Sequence, residues 1–401
     1  MTFQTFSGKE YLKIDIASSF GLDKLTWDAR IAWFNTNEQK LPELLKQADE
    51  PALFYAGIQA WEKTKANKPS GYPISLDATC SGIQILAALA GDRKAAQICN
   101  VVDTGKREDA YVSIYQDMVA KLGETSRIDR KLTKQAIMTS FYSSTAVPKR
   151  VFGDGELLAV FYDTLKVNAP GAWEINETML AVWDPTTLEN TWILPDNFHV
   201  KVKVMGQVTE TVHFFNEPFD VQYYQNMPIK GGRSLGANMV HSIDGMVVRE
   251  MQRRCNYDPI KIAELKRLLA VGASGHSTRR DEDKLVTCLW AHYLASGFLS
   301  ARILSYLDID NLGMVDAKVI QGLLNSLPEK PFEVISIHDC FRCLPNYGND
   351  IRRQYNLLLA TIAESELFSY IISQICHRPI QAGKLDHKLG RDIREANYAL
   401  S

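Results

Sequence analysis

Two aspartates stand out by their surroundings. Asp77 ends GYPISLD and precedes the small residues ATCSG, so a carboxylate stands at the end of an apolar strand with backbone groups accessible beside it. Taken alone, such an aspartate is more often a helix N-cap or a turn former. Asp339 ends FEVISIHD, an apolar run of strand length, where a buried carboxylate costs free energy unless a cation or donors compensate it. The competing reading there is a capped turn with His338 packed in the core. Between the two acids lies DRKLTKQAIMTSFY (129–142), a helical pattern. Its Arg130 and Lys134, at i and i+4, share one face, and Tyr142 follows two turns beyond Lys134 and about 80° round. Residues 127–150 carry Arg127, Arg130, Lys131, Lys134, Lys149 and Arg150 against Asp129 alone. A charge run is usually a solvated face; here two cations able to hold a polyphosphate are joined by an aromatic hydroxyl. In MVHSIDGMVV (239–248), His241 precedes an Asp-Gly pair that reads as a turn, with Asp244 as the N-cap of a following helix. Phosphoryl transfer from a nucleoside triphosphate asks for such a set: two acids for two Mg2+ ions roughly 3.5–4 Å apart, cations on the triphosphate, and a group that inspects the sugar.

The elements that must position these residues follow from periodicity. Residues 26–61 read as helices and 63–73 as a polar loop. A strand at 74–77 and a helix at 81–90 come next, then helices within 92–122 and 129–142. Between 189 and 225 apolar and polar residues alternate, an antiparallel β section with turns at Pro195-Asp196-Asn197 and Met205-Gly206-Gln207. A basic loop at 226–236 leads to helices from 244 to 324, interrupted at 272–276. A buried strand at 332–337 runs into His338-Asp339, and the remainder is largely helical. The class is α+β, helix-rich, with short strands that deliver acids.

The chain has 401 residues, enough for two or three domains, and its 45 Lys+Arg against 47 Asp+Glu give a net charge of −2. Any nucleic-acid surface is therefore a local patch. The 7 cysteines lack a framework spacing, which reads as reduced thiols of a cytoplasm. The Cys340/Cys343 pair has only Cys376/His377 as a weak complement, so zinc is disfavoured. No stretch reaches the ~18 apolar residues of a membrane span.

Four segments in order resemble the single-subunit DNA-dependent RNA polymerases of bacteriophages and mitochondria. DATCSGIQ (77–84) is similar to the first palm motif, RKLTKQAIMTSFY (130–142) to the fingers helix, VHSIDG (240–245) to a further segment and IHD (337–339) to the second palm acid. WILPDNF (192–198) and the C-terminal ANYALS are lesser matches. The resemblance implies a right-hand palm and fingers around a short antiparallel catalytic sheet. It divides the chain into a helical palm-associated module (1–67), palm (68–93), fingers (94–241) and palm with a C-terminal foot (242–401), the last carrying a helical insertion at 257–328. The amphipathic stretch 283–304 of that insertion reads as its own local core or as a docking surface.

The same resemblance assigns roles. Asp77 and Asp339, assisted by the Ala78 carbonyl, ligate two Mg2+ ions. Arg130 and Lys134 bind the incoming triphosphate, with Lys134 nearest the reacting phosphate and able to protonate pyrophosphate. Tyr142 selects ribose, His241 touches the nascent pair or sugar, and His338 supports the palm. Partners are a DNA template, an RNA product, NTPs and no membrane. The family's N-terminal domain, thumb and an early Arg motif are not matched, so a second subunit is expected to supply them, in the cytoplasm of an infected bacterium. Ser143-Ser144 replace the glycine that often follows the tyrosine, and 206–238 looks short for a promoter-reading loop. The alternatives are a polymerase-fold scaffold without catalysis and a DNA polymerase of the same palm class. The second is disfavoured because DATCSGIQ lacks the bulky acid that would block the 2′-OH. A phosphohydrolase built on His338-Asp339 lacks matching upstream histidines.

Overall fold

The structure, a computed structural model, describes residues 2–123 and 128–401; Arg127 of the basic run lies outside the described residues. The strand Ile74–Asp77 (β1) and the helix Ser81–Ala90 (α1) have the expected bounds. Strand-forming ISLD is cut off by small residues, and α1 stops at Gly91, whose φ of 63° favours glycine. Gly82 to Ala90 are all buried, so α1 is a core helix apolar on every side.

The helix Arg130–Ser140 (α2) is capped by Asp129, whose carboxylate accepts from Leu132 N at 2.8 Å. It ends before Tyr142, shorter than the periodicity predicts. Tyr142 N bonds Thr139 O at 3.1 Å in the following turn, and Ser143 takes a φ of 64°.

The β section forms two separate antiparallel pairs, Glu189–Ile193 (β2) with His199–Lys203 (β3), and Met205–Phe214 (β4) with Glu217–Asn226 (β5). The turn at 195–197 is present, with Asn197 at φ 57°. Residues 205–207 are strand, not turn, because the chain passes from β3 to β4 through Val204 alone.

The helix Ser234–Cys255 (α3) starts ten residues ahead of the expected N-cap, Asp244, which lies inside it (244 − 234 = 10). The Asp-Gly pair mimics a turn, but Met239, Val240, Ile243, Met246 and Val247 bury one helical face, and packing overrides that local signal. Strand Ile335–Ile337 (β6) pairs with Cys340–Cys343 (β7), which pairs with β1, giving the order β1-β7-β6. The expected buried strand 332–337 is therefore shorter and lies at a sheet edge. Phe332 and Val334 are buried ahead of it, while Ile335 and Ile337 are 46% and 53% exposed. His338 is exposed in the β6–β7 turn at φ 56°, not packed in the core.

The helix Gly348–Glu364 (α4) and α3 both pack on α1, and the main core gathers Leu76, Ile83, Ile243, Phe341 and Leu358 around them. Residues 257–328 have a local core that includes Leu265, Leu268, Val286, Leu289 and Ile303, so the stretch 283–304 buries its apolar face there. A third cluster, Leu12, Ile16, Phe34, Phe54 and Trp61, holds the N-terminal helices. Two fully buried carboxylates tie the β2–β3 turn and the 257–328 segment to α3. Asp196 pairs with Arg249 (2.6 Å) and Arg253 (2.9 Å), and Glu250 pairs with Arg253 (2.7 Å) and accepts from Ala301 N (2.8 Å). Buried charges of this kind must be matched, and each is.

Candidate active site

The register of β1 on β7 sets Asp77 opposite Cys340, next to Asp339. Ala78 N donates to Asp339 O at 3.1 Å, which locks the two acid-bearing backbones side by side. The C-terminal residues complete the arrangement: Thr79 N bonds Ala399 O (3.3 Å), Ser401 N bonds Asp77 O (2.8 Å), and Ala78 bridges Leu400. These bonds leave the Ala78 carbonyl oxygen out.

Behind the acids the support is polar and saturated. Gln84, buried on α1, donates to Thr79 Oγ1, Cys99 O and Ala399 O at 2.9–3.0 Å and accepts from Tyr355 Oη on α4 at 2.7 Å. A residue so bonded fixes the loop that carries Asp77.

Electrostatics mark the site. Burial and then the like charge of Asp339 raise the Asp77 pKa, against a hydrogen bond from the Cys340 thiol that lowers it. Asp244 on α3 is raised to about 6 by burial and by Asp339, partly offset by His338. Asp244 is thus a third carboxylate in the field of Asp339, which the sequence reading took for a helix cap.

Lys134 shares a cavity of about 170 Å3 with Asp77 and Ala78. Its ammonium lies 4.9 Å from the centre of the Tyr111 ring, and the Tyr111 hydroxyl is 3.1 Å from Cys80 Sγ. Arg107 also lines this cavity, and burial lowers its pKa. Neither Tyr111 nor Arg107 has a local sequence signal; the fold brings them there. Arg130 is exposed one turn before Lys134 and does not line the cavity.

Tyr142 and His241 pack together, ring centres 4.9 Å apart at 40°. The Tyr142 hydroxyl stands directly over Gly82, where an added Cβ would lie 2.3 Å from it. Burial raises the Tyr142 pKa, with lesser contributions from Cys80, Asp244 and Asp339.

The donor set suits a hard divalent cation. Among the described residues no three His, Cys, Asp or Glu side chains form a closed metal cage. Two mutually repelling carboxylates beside a free backbone carbonyl form an open site instead. Mg2+ takes such sites, completing its octahedron with water and substrate phosphate. Cys340 and Cys343, three apart on β7, point to opposite sheet faces and cannot share an ion.

Comparison with known proteins places a likeness over the part of the chain that holds most of these residues. Residues 4–160, which hold Asp77, Lys134 and Tyr142, match the family of DNA-dependent RNA polymerases. The chain is 30% identical over 160 residues to a probable DNA-directed RNA polymerase of Neurospora crassa, covering 34% of this chain and 18% of that protein. It is 31% identical over 183 residues to the chloroplast DNA-directed RNA polymerase 3 of Nicotiana sylvestris (36% and 18%). A probable DNA-directed RNA polymerase of Agaricus bitorquis is 22% identical over 328 residues (64% and 30%). The chain is thus similar, at low identity, to these DNA-directed RNA polymerases, and its matches span less than a third of these relatives' length. Among the described residues no helix is long and apolar enough to cross a membrane.

Proposed function

We propose that this chain is the catalytic part of a DNA-dependent RNA polymerase. It would add NTPs to the 3′ end of an RNA on a DNA template. The observation that carries this reading is the juxtaposition of Asp77, at the end of β1, with Asp339 in the β6–β7 turn, joined by the Ala78 N to Asp339 O bond, and Lys134 in the cavity that Asp77 lines. Asp77, Asp339 and the Ala78 carbonyl would hold two Mg2+ ions. Bound there, the ions would acidify the attacking hydroxyl and offset charge on the triphosphate. Lys134 binds the reacting phosphate and protonates the pyrophosphate, Arg130 holds the triphosphate tail, and Tyr142, backed by His241, reads the ribose 2′-OH. In this reading 1–67, 68–93, 94–241 and 242–401 are the palm-associated, palm, fingers and palm-plus-foot portions, with 257–328 inserted.

We further propose that a second polypeptide supplies the thumb and N-terminal parts. The pattern of motifs resembles the larger chain of the two-subunit RNA polymerase II of coliphage N-four. The test is primer extension on a DNA template with Mg2+, comparing rNTPs with dNTPs. Template-directed extension with rNTPs is expected, and a strong dNTP preference would sink the ribonucleotide reading. Processive extension by the chain alone at physiological salt would remove the second polypeptide while leaving the catalytic assignment in place. Unchanged turnover of Asp339→Asn in the active assembly would favour a scaffold.

A further inference from the structure

Beyond its base, where Gly206 is buried and Val208 half-buried, the β4–β5 hairpin is uncovered among the described residues. Its register gathers Val208, Val212, Phe214, Phe219, Val221 and Tyr223 on one face, with Glu210 and Glu217 among them. Thr209, Thr211, Asp220 and Gln222 share the other. All ten residues of β5 are exposed, and Val212, Phe214, Phe219, Val221 and Tyr223 are 42–63% exposed. Among the described residues, none from 205 to 226 enters a hydrophobic cluster. Only the base is tied down, by Asn226 to Leu188 O and Val204 O, both at 2.8 Å.

An isolated two-stranded ribbon is marginally stable in water, and long free edges are normally blunted with lysine, proline or short length. These strands have ten residues each and no lysine or arginine between Met205 and Asn226; their proline, Pro218, sits beside the tip and leaves the rest of both edges unguarded. The tip adds a second, independent sign. Phe215 and Asn216 make the two-residue turn at φ 48° and 65°, and Phe215 is 87% exposed. Asn and Gly suit that backbone; a phenylalanine is strained there, and the ring it meets is that of its neighbour Phe214, centres 4.4 Å apart.

Charge selects the occupant. Glu210, Glu217 and Asp220 make the hairpin acidic, whereas the adjoining β3 carries Lys201 and Lys203. A phosphate backbone is repelled by such a surface. A second copy would set these same carboxylates against one another across a two-fold axis. We infer that this face docks a separate polypeptide presenting an apolar strip bordered by lysines or arginines, by strand addition or face packing. This inference does not depend on the catalytic assignment.

Hydrogen exchange of the intact chain tests it with four probes: a synthetic peptide of alternating leucine and lysine, its leucine–glutamate counterpart, duplex DNA, and the chain itself at rising concentration. The leucine–lysine peptide is expected to slow exchange of amides 206–226 by about tenfold or more. The other three should leave them unchanged. In the Val212→Asp/Phe219→Asp variant that protection should vanish, while α1 keeps its slow exchange as proof of an intact fold. Protection by DNA, by concentration alone or by the acidic peptide would overturn the inference. Failure of the leucine–lysine peptide to protect the hairpin, or equal protection of the variant, would overturn it as well.

Discussion

The molecule holds two antiparallel β elements of opposite character. The three-stranded sheet β1-β7-β6 is short, but Leu76 and Phe341 anchor it in the main core and the C-terminal residues seal the β1 end. The β4–β5 hairpin has the longer ladder, ten paired positions, and among the described residues it enters no hydrophobic core. Hydrogen-bonded length therefore does not decide where chemistry sits. A carboxylate pair needs surroundings that over-determine its position, because misplacing a reacting group by an ångström costs orders of magnitude. A docking ribbon needs only its base fixed, since its partner orders the rest.

The sharpest break between the two regions should be catalytic. Asp339→Asn keeps size and hydrogen-bonding capacity but removes one charge from the proposed cation site. It should reduce nucleotide addition in the active assembly by ~10^3-fold or more, on the scale of losing a principal electrostatic group. Val212→Asp/Phe219→Asp, far from the acids, should leave single-nucleotide addition on a preformed scaffold within about twofold. Rapid-quench kinetics on both variants checks this contrast, and equal losses would erase it.

Stability should divide the same way. Phe341→Ala empties a site with 1% exposure at the centre of the catalytic sheet and should cost about 3–5 kcal/mol. Phe219→Ala, 53% exposed, should change urea unfolding by less than about 0.5 kcal/mol. A large loss from Phe219→Ala would mean that the hairpin is covered by its own chain.

How much of this contrast the sequence carries depends on the range of the forces involved. β1 and α1 were legible residue for residue, because ISLD, the small-residue break and the closing Gly91 are local signals. The acids, Lys134 and Tyr142 were legible as types in order. The β4–β5 alternation was legible too, but alternation says only that one face wants cover, not what covers it. Asp244 was misread because Asp-Gly is a turn signal, and the buried helical face formed by its neighbours on both sides outweighs it. Arg107 and Tyr111 reach the cavity through long-range packing, for which no local pattern exists.

A buried acid behind the catalytic sheet gives a pH test. Asp15 is 5% exposed and accepts from Ser75 N and Tyr72 Oη, both at 2.7 Å. Burial nonetheless raises its pKa from 3.8 to about 6. The folded state binds this proton more tightly than the unfolded one, so the contribution is full below about pH 4 and is lost as pH rises through about 6. Asp15→Asn keeps both bonds possible without the charge. It should be more stable than the parent by roughly 1–3 kcal/mol at pH 8, with the gap narrowing by pH 5. Urea midpoints at the two pH values measure this, and a gap that widens on acidification would reverse the assignment.

The smallest effect concerns how tightly the sheet side constrains its neighbours. If Tyr142 reads the ribose, Tyr142→Phe should lower the preference for rNTP over dNTP by about tenfold, or ~1.4 kcal/mol, while extension persists. The position of that hydroxyl depends on Gly82, because a methyl there would lie 2.3 Å from it, with the His241 ring against the same tyrosine. Gly82→Ala should therefore displace the ring and lose ribose preference by a similar factor, although alanine is the better helix former. Two changes that act through one hydroxyl cannot add. In the double variant the preference should be close to that of either single one, and the cycle should show a coupling near the full single effect. Independent, additive losses would mean that Gly82 serves only the packing of α1, and that something other than this contact sets the tyrosine.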